Sequence, residues 1–267
     1  WQQIAVLFAG VFFNFVFAWL LIILTFCSGV LASVESYPKY SDQMNDKHIA
    51  ITYVNPGSPA EKVGLKAGDT LIASSLEEIQ NKINESKTNG VKISYIRNKV
   101  SGNVDVIAEE GIVEGKYAIG IAMDNVGTLK LPIHKSIIES FKFTKHIIGA
   151  TFVGLYDLVE GMFKGTASLS SVTGPVGIAG LIGDAAKLGF TYLVMFTAII
   201  SINLGVLNLV PFPALDGGRI LFVLIEAVIR RPIKPIVANS FNAVGFGLLI
   251  LLMIVVTYRD VAKLFVK

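Results

Sequence analysis

Cysteine and charge are both scarce in this sequence. Cys27 is the only cysteine among 267 residues, which excludes an internal disulfide and any metal centre built on thiolates. It stands at the end of an apolar run, where a buried thiol behaves as a small, inert hydrophobe. Asp, Glu, Lys and Arg together make up 16% of the chain, and the formal net charge is +3. So small a charge, with no dense basic cluster, does not suggest a nucleic-acid partner, and none is expected. The first apolar run has no basic segment before it and no small-residue cleavage site at the right distance, which argues against a signal peptide. Internal repeats and low-complexity tracts are also missing.

Apolar surface takes the place of charge. Hydrophobic residues make up 53% of the chain and the mean hydropathy is +0.63, a composition that belongs to membrane proteins. The pattern predicts an α-helical membrane protein with three transmembrane spans and an α+β domain inserted between the first and second. The first span occupies residues 1–27, with its apolar run from Ile4 to Phe26. Gly10 and Asn14 fall on one face of that helix, where a small residue and an amide suit packing against a neighbouring helix. The chain enters this run directly from Trp1, and the expectation is that the natural N-terminus lies upstream. Residues 28–47, polar and carrying Pro38, read as a linker.

From His48 the pattern changes to short alternating strands and turns over residues 48–125. His48–Val54 reads as a strand, Asn55-Pro-Gly-Ser-Pro59 as a turn, Ala60–Val63 as a short helix, and Thr70–Ala73 as a strand. Leu76, Ile79 and Ile83 share one face of a helix over Leu76–Ser86. Val91–Arg97 and Val104–Ile107 form a strand pair around Ser101-Gly-Asn103, and Tyr117–Ala122 is the last strand. The run Val54-Asn-Pro-Gly-Ser-Pro-Ala-Glu-Lys-Val-Gly-Leu-Lys-Ala-Gly-Asp69 resembles the core of the PDZ domains attached to bacterial proteases. The resemblance implies a groove that takes an extended peptide by strand addition beside a helix. Gly64, Leu65, Ile79 and Ile83 are the residues expected to line it. A domain with an empty groove, serving only to shield the membrane part, is the competing reading.

Residues 126–189 are mixed and suit helices lying at the membrane surface, with a Gly-Pro turn at Thr173-Gly-Pro-Val-Gly-Ile178. The second span lies in residues 190–239, and a third helix spans residues 240–267. Arg219, Arg230, Arg231 and Lys234 lie in the short connection between these two spans, which places that connection in the cytoplasm and the inserted domain outside it.

The most informative stretch is Asn203-Leu-Gly-Val-Leu-Asn-Leu-Val-Pro-Phe-Pro-Ala-Leu-Asp-Gly-Gly-Arg219. A carboxylate at the end of a membrane-length segment is costly to bury and marks a functional site by default. Pro211 and Pro213 break the helical ladder, which a bilayer tolerates only inside protein or beside a cavity. The Asn208 to Gly218 block, the Ala9-Gly-Val-Phe-Phe-Asn-Phe15 segment and the Thr173–Ile178 turn resemble the site-2 protease family of intramembrane zinc metalloproteases, in its RseP-like bacterial branch. That resemblance covers nearly the whole chain. Val11 departs from it, standing where the family has proline.

The resemblance implies zinc held by two histidines of a His-Glu-x-x-His helix and by an aspartate, with Asp216 in the aspartate's place. Asn208 matches an asparagine that contacts substrate beside the scissile bond. Pro211, Pro213, Gly217 and Gly218 shape the unwound segment. It further implies membrane-protein substrates cut within their transmembrane segments as regulated intramembrane proteolysis, lipid contact, and a bacterial plasma membrane as the location. No His-Glu-x-x-His occurs in these 267 residues, so the polypeptide alone is expected to hold no catalytic zinc. A truncated start and a natural pseudoprotease both account for this. Outside the family, a membrane-tethered PDZ adaptor, a transporter with a broken helix and a plain helix-capping role for Asp216 compete. A transporter would show a second broken helix at a matching position, which is not found.

Overall fold

In the computed structural model, residues 2–55, 57–86, 89–97, 99–113, 116–165 and 173–265 are described. Pro56, within the turn signal read above, lies outside them. The chain divides into a helical unit, built from its beginning through Ser28 and again from Leu131 onward, and a second unit over Gly29–Lys130.

The helical unit begins with α1 (Gln2–Ser28) and continues with α4 (Ile133–Lys164), α5 (Pro175–Leu188), α6 (Phe190–Leu209), α7 (Asp216–Ile229) and α8 (Pro235–Phe265). Among the described residues three helices are long and apolar enough to cross a membrane, over Ala5–Ser28, Phe190–Leu209 and Pro235–Ala262. The third therefore starts five residues before the expected Ser240, because Pro235 supplies a helix-compatible first position. Val11, Ala18, Ile22 and Phe26 of α1 are buried, and the helix packs on α6 and α4. Gly205 lets the ring of Phe15 approach α6, since a Cβ there would lie 2.7 Å from its Cε1. Ser201 Oγ donates to the Asn14 carbonyl (3.0 Å) and Thr151 Oγ1 to Asn203 Oδ1 (2.8 Å). Such interhelical bonds satisfy polar groups that lipid cannot. Gly10 is exposed, with nothing among the described residues within 4 Å of a Cβ built on it. The small-residue packing expected of it finds no partner among the described residues. Cys27 Sγ donates to Ser136 Oγ at 3.3 Å.

The residues read as surface helices hold one continuous 32-residue helix, α4. Trp19 Nε1 donates to the Ile137 carbonyl (3.3 Å), and Trp19 meets Phe141 edge-on. The turn before α5 is held from α8. Asp260, 8% exposed, accepts the Gly177 N–H at 2.9 Å, and a Cβ on Gly174 would lie 2.7 Å from the same oxygen. Gly174 caps α5 without a side chain of its own, so Asp260 supplies the carboxylate that a helix N-terminus favours.

The second unit contains β1 (Val30–Ser33), β2 (Asn45–Val54), α2 (Pro59–Lys62), β3 (Thr70–Leu71), α3 (Leu76–Ser86), β4 (Val91–Arg97), β5 (Val100–Val106), β6 (Glu109–Val113), β7 (Lys116–Ala118) and β8 (Ile121–Leu129). Six strands form an antiparallel sheet in the order β1-β8-β2-β3-β4-β5, while β6 and β7 pair separately. The core gathers Ile49, Ile51, Leu65, Leu71, Ile79, Ile83, Val91, Ile93, Val106 and Ile119.

Three expectations change here. Residues 28–47 are no free linker: Val30–Ser33 pairs with Val126–Leu129, a partner too distant in sequence for local pattern to reveal. Ser101–Asn103 lies inside β5, opposite Ser94–Ile96, and the reversal falls earlier, beside Lys99 with φ 66°. Tyr117–Ala122 is two strands rather than one, because Gly120 at φ 79° breaks the run. A Cβ on Gly120 would collide with Ser58 Cβ, so only glycine passes there.

The Gly64–Asp69 loop is fixed by charge. Asp69 is 1% exposed. Arg97 Nε and Nη2 each donate to its carboxylate at 2.6 Å, and Nη2 also reaches the Gly64 carbonyl at 2.7 Å. The Lys66 N–H donates to Asp69 Oδ2 at 2.8 Å. Bonding to Asp69 raises the Arg97 pKa further above its usual range.

Candidate active site

The unwound segment between α6 and α7 follows directly from its prolines. The ladder of α6 ends at Leu209, and Pro211 and Pro213 supply no N–H to extend it. Val210 takes an extended conformation, and the Phe212 N–H turns back to its carbonyl at 2.7 Å. A second reversal spans Phe212–Leu215, closed by the Leu215 N–H on the Phe212 carbonyl at 3.2 Å. Pro213 is its second residue, and Ala214, with φ 71°, its third. That is the pattern of a type II turn, which asks for glycine in the third place. Alanine there costs roughly 1–2 kcal/mol of backbone strain.

Asp216 opens α7 at its first helical position. Leu215 stands at the cap with no side-chain bond, and its carbonyl accepts the N–H groups of Gly218 (3.1 Å) and Arg219 (3.3 Å). Asp216 is half-buried and accepts no hydrogen bond among the described residues. It lies one residue past the cap and captures no backbone N–H, so a simple capping role does not account for it. Asn208, in the last turn of α6, is likewise half-buried with its amide unengaged among the described residues.

Glycine brings these two helix ends together. Gly217 and Gly218 are buried. A Cβ on Gly217 would run into the carbonyl oxygens of Val210 and Leu209, and one on Gly218 into that of Phe212. The first turn of α7 is thus nested into the loop that precedes it, backbone against backbone. From the far side, α8 closes on the same loop. Asn242 Oδ1 accepts the Ala214 N–H at 3.2 Å, and buried Gly245 faces Pro213 so closely that any Cβ would overlap it.

As a metal centre the site is partial. Asp216 offers a free carboxylate suited to one ligand position. Among the described residues no three His, Cys, Asp or Glu side chains converge to form a metal site. His134 and His146 are exposed on α4, and His48 Nδ1 lies 2.7 Å from the Asp46 carbonyl oxygen in the other unit.

The second unit carries a separate cleft of about 520 Å³ between α3 and the β7–β8 region, lined among others by Asn55, Ile83, Asn84, Tyr117, Ile119 and Ile121. β8 pairs with β2 from Ile121 onward, yet with β1 only over Val126–Leu129. The other edge of Ile121–Asp124 therefore has no strand partner among the described residues. Of the four expected groove residues only Ile83 lines this cleft. Leu65 and Ile79 are in the core, and Gly64 (φ 85°) presents its carbonyl to Arg97. Much of the rest of the lining runs from Tyr117 to Met123, where the only sequence cue is the glycine at 120 inside an apolar run.

Comparison with known proteins gives a consistent result. Residues 1–252 match the model for peptidase family M50. The chain is 34% identical over 272 residues to the zinc metalloprotease RasP of Geobacillus kaustophilus, covering 99% of this chain and 60% of that protein. It is 31% identical over 268 residues to RasP of Oceanobacillus iheyensis, covering 97% and 59%. A protein of Staphylococcus aureus is 30% identical over 281 residues, covering 99% and 60%. The chain thus spans about 60% of the length of the curated relatives it matches.

Proposed function

The chain belongs to peptidase family M50, and from that membership we propose that it serves in an intramembrane zinc endopeptidase that cuts transmembrane segments of other membrane proteins. The observation that carries the reading is Asp216. It is a half-buried carboxylate between two candidate spans, unengaged by any described side chain or backbone group and held in place by backbone-to-backbone packing. A catalytic zinc takes three protein ligands and leaves a position open, where it lowers the pKa of water and polarises a carbonyl. Asp216 supplies one ligand. The family resemblance assigns the other two to a His-Glu-x-x-His helix, a motif that does not occur in these 267 residues.

The remaining roles fall to residues of this chain. Asn208 directs its free amide to the substrate backbone beside the scissile bond, where a donor steadies developing negative charge. Pro211 and Pro213 keep the segment from re-forming helix. Gly217 and Gly218 hold Asp216 against the end of α6. The unpaired edge of Ile121–Asp124 and the cleft beside α3 support a PDZ-like domain that takes an extended peptide by strand addition. Arg230, Arg231 and Lys234 are assigned to the cytoplasmic face of a bacterial plasma membrane, and the inserted domain to the opposite side, with α6 as the candidate span between them. Cleavage there is regulated intramembrane proteolysis.

The test is Asp216→Ala in the full-length protein. Bound zinc and cleavage of a model transmembrane substrate should both be lost, with peptide binding at the inserted domain unchanged. Retained zinc and cleavage would remove Asp216 from the site.

A further inference from the structure

Nothing in the sequence pattern drew attention to Asn242, yet it reaches the loop that delivers Asp216. In a turn of this type the N–H of the third residue points outward and finds no partner within the turn. Ala214 is that residue, with φ 71°, and its N–H donates to Asn242 Oδ1 at 3.2 Å. A non-glycine residue at positive φ persists only where its surroundings over-determine it. Here two features of one face of α8 do so. Asn242 binds the N–H of Ala214. One turn on, Gly245 leaves room for Pro213, whose backbone carbon and oxygen would both lie 2.8 Å from a Cβ at that position. Leu215 follows Ala214 and its carbonyl starts the α7 ladder, so the orientation of the Ala214 peptide sets the direction in which Asp216 leaves the loop.

The geometry points to Asn242 as a positioning residue for Asp216, acting through the Ala214 peptide, with Gly245 as its steric counterpart. This rests on the reading of Asp216 as a zinc ligand. Groups that orient a ligand rather than bind the metal typically change affinity by about 10- to 100-fold when removed. Asn242 bonds to the Ala214 N–H, so its effect runs through backbone conformation.

The experiment uses the full-length protein in detergent, with zinc itself as the probe, and measures the zinc dissociation constant by chelator competition beside substrate cleavage. Asn242→Ala should weaken zinc binding about tenfold. Adding Ala214→Gly should restore it, because glycine adopts φ 71° without a Cβ penalty. A residue important only for packing α8 would not be rescued by a change at position 214. If Asn242→Ala does not accumulate as folded protein, Asn242→Gln, which displaces the amide by one methylene, replaces it with the same expected loss and the same rescue. Wild-type zinc affinity in the Asn242 variant, or a loss that Ala214→Gly leaves untouched, overturns the proposal. Asp216→Ala, run alongside, separates the two ideas. If it too leaves zinc binding unchanged, the zinc-ligand reading fails; if it alone abolishes binding, only the role of Asn242 falls.

Discussion

Gly217 is the residue at which packing and chemistry are most tightly joined. A Cβ there would overlap the carbonyl oxygens of Val210 and Leu209. Both are backbone atoms at the end of α6 and cannot rotate away as a side chain would. Restoring ordinary contact distances requires the first turn of α7 to move by about 1 Å, and a misplacement of that size in a catalytic constellation costs on the order of 100-fold in rate. The stability cost of such overpacking is of similar size, roughly 1–3 kcal/mol, small enough for a folded protein to persist. Gly217→Ala should therefore leave a protein that inserts and accumulates but cleaves a model transmembrane substrate about 100-fold more slowly. Gly247→Ala is the matched control, since no described residue lies within 4 Å of a Cβ built there. Cleavage rates are compared at equal protein level, with bound zinc measured by elemental analysis. Full activity and full zinc in Gly217→Ala would refute the idea that backbone contact between α6 and α7 sets the position of Asp216.

Three further outcomes follow from buried charges. Arg97→Met strands Asp69, which is 1% exposed, and removing one partner of such a pair costs about 3 kcal/mol or more. Thermal unfolding of the 29–130 unit within the whole chain should fall by roughly 10–20 °C, with much of the loss recovered in Asp69→Asn/Arg97→Met. Because bonding to Asp69 raises the Arg97 pKa, the pair's contribution is present below the unfolded value and disappears only as pH rises through the still higher folded one. No alkaline loss is expected across about pH 7 to 10. Asp260→Ala removes the acceptor for Gly177 N–H and should raise amide exchange selectively in the first turn of α5 by about fivefold, the equivalent of one hydrogen bond near 1 kcal/mol. Unchanged exchange there would show that Pro175 alone holds the turn.

The helices were readable because each carries its own signal. The Ile4–Phe26 run is apolar for a membrane thickness, and Leu76, Ile79 and Ile83 recur at helical spacing. Asp216 was readable for a related reason, being a charge where the surroundings leave little to solvate it. Partners remote in sequence were hidden. Val30–Ser33 becomes a strand only because Val126–Leu129 lies beside it. The cleft next to α3 depends on where β8 runs relative to that helix, and Leu65 and Ile79 look like groove residues until the sheet buries them. Asn242 offered no cue, since an amide in an apolar helix reads the same whether it faces lipid, a neighbour or a turn.

The insertion point itself has a topological consequence. The Leu131 N–H donates to the Phe26 carbonyl at 2.9 Å, so the helical unit holds the two ends of its long excursion together. Within the excursion, Val30 pairs with Leu129, so the inserted unit also closes its own termini. Closing a loop of about a hundred residues costs little more than closing one of fifty, and here each side of the junction secures its own ends. The excursion is thus a cassette: residues between Gly29 and Lys130 can lengthen, shorten or be exchanged over evolutionary time without asking α1 and α4 to part.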